Sequence, residues 1–139
     1  MFNKKKAMPI RTLIGEGTRI DGELHFTGGL RIDGEVQGDV EAVGDGPSIL
    51  VISEKARVNG KVSGGHVIIN GVVNGPVRSR DLLELQPKAI IVGDVRYEIL
   101  EFHQGATIDG ELRPIGAKEE QPDLKLASLN LELIATTGS

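Results

Sequence analysis

The chain has 139 residues and a formal net charge of −4, with 19 glycines, four aromatic residues (Phe2, Phe26, Phe102 and Tyr97) and no cysteine or tryptophan. So much glycine excludes a helical bundle, where each costs up to about 1 kcal/mol relative to alanine, and its irregular spacing excludes collagen. An apolar content of 39%, with 14 Ile and 12 Val, excludes disorder throughout and favours strands around a slim core.

Residues 1–11 carry Lys4, Lys5, Lys6 and Arg11 and no acid, a local charge of +4. They lack the apolar run of a secretory signal, and no apolar stretch reaches the length of a membrane-spanning helix. The expectation is a cytoplasmic protein with a flexible basic tail. Residues 12–113 hold ten Lys/Arg against sixteen Asp/Glu, a local −6. Such an acidic body argues against a nucleic-acid platform.

From residue 20 onward the chain repeats a pentad, aliphatic–x–Gly–x–aliphatic. It occurs at Ile20–Leu24, Ile32–Val36, Val36–Val40, Val58–Val62, Ile69–Val73, Val73–Val77, Ile91–Val95 and Ile108–Leu112. Between Ile20 and Val40 every even position is apolar or glycine, and every odd one is polar except Gly29. This is the period of a strand, yet it lasts longer than one strand. Several short strands joined by bends that preserve inside and outside account for it, with inward glycines at the bends. The parity slips after Ser63-Gly64-Gly65, and again near Glu98–Leu100. Val43–Ser48 and Arg78–Lys88 read as two looser corners.

These demands predict an all-β fold, a parallel β-helix over residues 12–113. Pentads recur near a coil's length, Val40 to Val58 being 18 residues and Ile91 to Ile108 being 17. About six coils rising about 4.8 Å each would form a rod of roughly 28 Å. The remaining residues, 114–139, read as a largely disordered C-terminal tail containing the leucine-rich stretch LKLASLNLELIA.

The tandem IDGEVQGDV (Ile32–Val40), the later VNGKV, IVGDV and ATIDGELRP elements, and the Met-Phe-then-lysine start resemble the bactofilins, bacterial polymer-forming cytoskeletal proteins. The resemblance implies a right-handed β-helix, nucleotide-free end-to-end polymerisation, and attachment of the N-terminal tail to the cytoplasmic face of the inner membrane. It also implies roles in cell shape, motility and placement of cell-wall-modifying enzymes.

Physical chemistry supports polymerisation independently of the resemblance. A β-helix ends in strands whose N–H and C=O groups lack partners, and no capping helix is legible at either end. The polymerisation interface is expected at Leu13, Ile14, Ile20, Leu24 and Phe26 on one end, and at Leu100, Phe102, Ile108 and Leu112 on the other. Phe102 is the preferred contact, because a large ring in a narrow terminal coil protrudes. In the tail, Met1 and Phe2 are expected to insert into anionic inner-membrane lipid, beside Lys4, Lys5 and Lys6. One tail is a marginal anchor, but a filament multiplies it.

No catalytic residue, cofactor site or metal site is expected. No phosphate-binding loop occurs, so assembly should need no nucleotide. His25, His66 and His103 have no metal-ligand spacing, and the carboxylates Asp21, Glu23, Asp33, Glu35, Asp39, Asp109 and Glu111 read as a solvated face. Two alternatives stay open. One is a hexapeptide-repeat acyltransferase, also β-helical, with His66 as its catalytic residue. The other is a non-polymerising adaptor whose tails recruit partners.

Overall fold

The computed structural model describes residues 9–116, and within them the chain is entirely strands, turns and bends. It winds through six coils. The first consists of β1 (Thr12–Ile14), β2 (Arg19–Asp21) and β3 (Leu24–Phe26), the second of β4 (Gly28–Ile32), β5 (Glu35–Gln37) and β6 (Val40–Ala42). The third holds β7 (Ser48–Ile52), β8 (Arg57–Asn59) and β9 (Val62–Gly64). β10 (His66–Ile69), β11 (Val72–Asn74) and the start of β12 (Val77–Leu85) form the fourth. The rest of β12, β13 (Ile90–Val92) and the start of β14 (Val95–Phe102) form the fifth. The last coil completes β14 and adds β15 (Thr107–Asp109) and β16 (Leu112–Pro114).

Every pairing joins one coil to the next and is parallel, which gives the solenoid three faces. Face 1 stacks β1, β4, β7, β10 and the second halves of β12 and β14. Face 2 stacks β2, β5, β8, β11, β13 and β15. Face 3 stacks β3, β6, β9, the first halves of β12 and β14, and β16.

The expected alternation holds. Leu30, Ile32, Val36, Val40, Leu50, Ile52, Val58 and Val62 are fully buried at even positions, and Val67, Ile69, Val73, Leu83, Leu85, Ile91 and Val95 at odd ones. Each contributes about 1.5–3 kcal/mol by leaving water. The first parity slip is the corner between β9 and β10. There the Gly65 N–H donates to Ser48 Oγ at 3.0 Å and the Ser79 hydroxyl donates to the Gly65 carbonyl at 2.7 Å. The second lies in β14, where Ser79–Leu82 of β12 faces the shorter span Tyr97–Ile99 across a register shift.

Six of the eight pentads form one corner, between faces 2 and 3, once per coil; Ile32–Val36 and Ile69–Val73 turn the corner between faces 1 and 2. The glycines do more than bend the chain. A Cβ on Gly75 would run into the Gly60 carbonyl oxygen of the coil before, and the backbone there has φ 153°. Glycine lets successive corners stack this closely.

Two expectations need correcting. Val40 pairs with Val62, not Val58, because the Val43–Ser48 corner lengthens that coil to 22 residues, whereas Val62 to Val77 spans only 15. Arg78–Lys88 is not a loose corner: most of it lies in β12, the longest strand, with Ser79, Leu83 and Leu85 fully buried and a turn only after Leu85. The consecutive charged residues Arg80 and Asp81, at the register shift, hide that strand's alternation.

Candidate assembly interface

Among the described residues, the solenoid stops mid-stack at both ends. β1, β2 and β3 pair only with the second coil, while β15, β16 and the second half of β14 pair only with the fifth or with β14 itself. Each end therefore presents three strand edges running in one direction.

The residues expected at the interface fall into two sets at opposite ends. Ile14, Ile20, Leu24 and Phe26 alternate inward in the first coil, and Leu100, Phe102, Ile108 and Leu112 in the last. They are core residues lacking a final neighbour. Ile14, Phe26, Ile108 and Leu112 keep between 6 and 9% of their surface exposed, whereas Ile32, Ile91 and Val95, which pair with Ile14, Ile108 and Leu112, keep none. Phe102 pairs in register with Leu85, and in contrast to that buried leucine it is only half-buried. Leu13 differs from the others: at 59% exposed it projects from the outside of face 1. Met1, Phe2, Lys4, Lys5, Lys6 and the leucine-rich tail lie outside the described residues.

The outer surfaces of the three faces differ in chemistry. Face 1 carries two outward columns in register, Gly29–Ile49–His66–Leu82–Ile99 and Leu13–Arg31–Val51–Ile68–Glu84–Glu101. Ile49, Val51, Ile68 and Leu82 are half-buried there, forming an apolar stripe. Face 2 presents Arg19, Glu35, Arg57, Gln37, Asn59 and Asn74, the Asn74 side-chain amide donating to Asn59 Oδ1 at 2.6 Å. Val72, Ile90 and Val92 follow toward its C-terminal end. Face 3 is graded: His25 and Glu41 occupy its outward column at the N-terminal end, and Arg78, Arg96 and Arg113 at the C-terminal end.

The carboxylates expected on the surface are all outside the core. Asp21 and Asp33 pair with Arg19 and Arg31 at 2.9 and 3.1 Å, while Asp39 Oδ1 accepts from the Lys61 backbone N–H at 2.8 Å. His25 sits 3.6 Å from Glu23 and 3.7 Å from Glu41. His66 opens β10 on the outside of face 1, with Nε2 buried and unpartnered. His103 was not expected to join a cluster, yet it lies 3.2 Å from Glu101 and 3.7 Å from Glu84. The three donor atoms lie within 4.8 Å of one another, the one group among the described residues that could hold a divalent ion. Glu101 and His103 share a side of the last coil and Glu84 pairs with Glu101 one coil earlier, a relation that only the coil register reveals. Tyr97, beside these last coils, has its phenol pushed above the ordinary value by burial.

Residues 12–113 match the bactofilin family model, described as polymer-forming cytoskeletal. Bactofilin BacO of Myxococcus xanthus (strain DK1622) is 26% identical over 111 residues, covering 80% of this chain and 85% of that protein. No solved structure gives a significant match. A three-faced parallel solenoid whose terminal strands have no further partner among the described residues is a form that stacking can extend, and the matched region runs from the first strand to the last coil. The chain belongs to the bactofilin family of polymer-forming cytoskeletal proteins.

Proposed function

We propose that this protein assembles end to end, through its terminal coils, into nucleotide-independent filaments on the cytoplasmic face of the inner membrane. The observation that carries this reading is the pair of open ends. Among the described residues, six terminal strand edges lack a ladder partner, and the inward residues Ile14, Phe26, Ile108 and Leu112 of the terminal coils keep some exposure. Stacking would complete those ladders, each hydrogen bond contributing about 0.5–1.5 kcal/mol net, and would cover Phe26, Leu100 and Phe102. The role is structural rather than catalytic: the filament serves as a scaffold for cell shape, motility or the placement of cell-wall enzymes. Residues 1–8 supply the lipid contact, with Met1 and Phe2 inserted and Lys4, Lys5 and Lys6 at anionic headgroups.

Negative-stain microscopy of the purified protein without nucleotide tests the assembly. Filaments of solenoid width are expected, and discrete trimers would favour the acyltransferase reading instead. Phe102→Arg should abolish filaments while leaving a folded monomer, because a guanidinium cannot be enclosed without a partner. Filaments that persist in this variant would remove Phe102 from the interface. Flotation with anionic vesicles, with and without residues 1–8, tests the tail.

A further inference from the structure

We propose that face 1 is the side of the assembled protein that lies against an anionic lipid bilayer, an inference that rests on residues 1–8 being the lipid-contacting tail. Its first support is the path of the chain into the fold. Gly29 is an outward position of β4, yet it is buried, because Pro9 and Ile10 cross over it. The Arg11 N–H donates to the Gly29 carbonyl at 3.1 Å. A Cβ on Gly29 would run into the Pro9 carbonyl oxygen and come within 2.9 Å of Ile10 Cα. Gly29 is thus a notch that holds the incoming segment on the outside of face 1, one coil in from the open end. A segment entering straight into β1 would hang from that end and obstruct stacking; Pro9 and Ile10 instead approach β1 from the side.

The second support is what lies next to the notch. The columns that pass through Gly29 and its neighbour Arg31 continue into Ile49, Val51, Ile68 and Leu82 on the next coils. An apolar stripe beside the point where a basic segment of the sequence joins the fold is the composition of an interfacial membrane contact. At the same level of the solenoid, the fourth coil, face 2 presents a single outward apolar residue, Val72, beside Asn74, and face 3 presents Arg78. Apart from Asp33, which pairs with Arg31 at the edge of the second coil, the acids of face 1, Asp81, Glu84 and Glu101, lie in the last two coils, where His103 sits between the two glutamates. The contact is therefore centred on the first four coils, near Arg11.

The absence of cysteine makes each introduced thiol unique. Ile68→Cys, Val72→Cys and Arg78→Cys place one thiol on each face of the fourth coil. Each full-length variant, labelled with an environment-sensitive fluorophore, is mixed with phosphatidylglycerol-containing vesicles that carry brominated acyl chains. All three should sediment with the vesicles, and quenching of the Ile68→Cys label should exceed that of the other two several-fold. Equal quenching on all faces, or strongest quenching at Val72→Cys or Arg78→Cys, would overturn the assignment of face 1 while leaving the tail's lipid contact intact. Failure of the wild type to sediment would overturn the tail reading, and this inference with it. A label on Ile68→Cys that is shielded without vesicles, and released on deleting residues 1–8, would show that the tail covers the face and would overturn the proposal.

Discussion

The middle coils and the terminal coils are made of the same material. Leu50, Ile69 and Leu83 are inward aliphatics, as are Ile14, Ile108 and Leu112, and they alternate with polar neighbours in the same way. They differ only in company: a middle strand has a parallel partner on both edges, and a terminal strand has one. The proposed assembly surface would thus be a core interrupted, not a patch with its own composition. The difference teaches that interface residues in this fold are distinguished by coil number rather than by residue type.

The comparison can be broken most forcefully in the middle. Leu83→Asp would place a carboxylate where no surface is exposed and no cation is at hand, and should prevent folding altogether. Loss of the far-UV strand signal and of a cooperative melt is the expected result; a folded variant would mean that the middle coils tolerate opening. A gentler probe compares equal truncations in a Phe102→Arg background, which keeps the protein unassembled. Leu50→Ala should cost about 2–5 kcal/mol in urea unfolding, and Leu112→Ala, in a last coil with a neighbour on one side only, less than that. Equal costs would show that the last coil is as closed as the third. The smallest effect concerns pH near the C-terminal end. Burial raises the Tyr97 phenol above 10.0, so the unfolded chain ionises first as pH climbs. The contribution of Tyr97 to stability is therefore complete below pH 10 and is lost as pH rises through the folded value. Thermal melts toward pH 11 should fall more steeply for wild type than for Tyr97→Phe; parallel curves would remove Tyr97 from the alkaline loss.

Which residues point inward was legible in the sequence, because strand alternation is a local, two-residue rule. The same rule located both slips, at Gly64–Gly65 and at Glu98, and the Val43–Ser48 corner. It could not say which residue pairs with which. Register depends on coil length, and the coils run from 15 to 22 residues. Every feature built across coils stayed hidden for that reason: the apolar stripe of Ile49, Val51, Ile68 and Leu82, the arginine column of face 3, and the approach of His103 to Glu84. Gly29 was hidden differently. At an odd position among polar residues it breaks the alternation without explanation in the sequence, and only the crossing segment gives it a purpose. β12 was misjudged because Arg80 and Asp81 interrupt its alternation at the register shift.

The exclusively parallel coil-to-coil ladder has a mechanical consequence. Tension along the solenoid axis would fall on the backbone hydrogen bonds between successive coils, arranged as springs in series, with three faces sharing the load side by side. In an end-to-end assembly the junction between two molecules would be one more spring of the same kind. Such a filament would stretch evenly along its length, and a pull on it would find no boundary that marks where one molecule ends and the next begins.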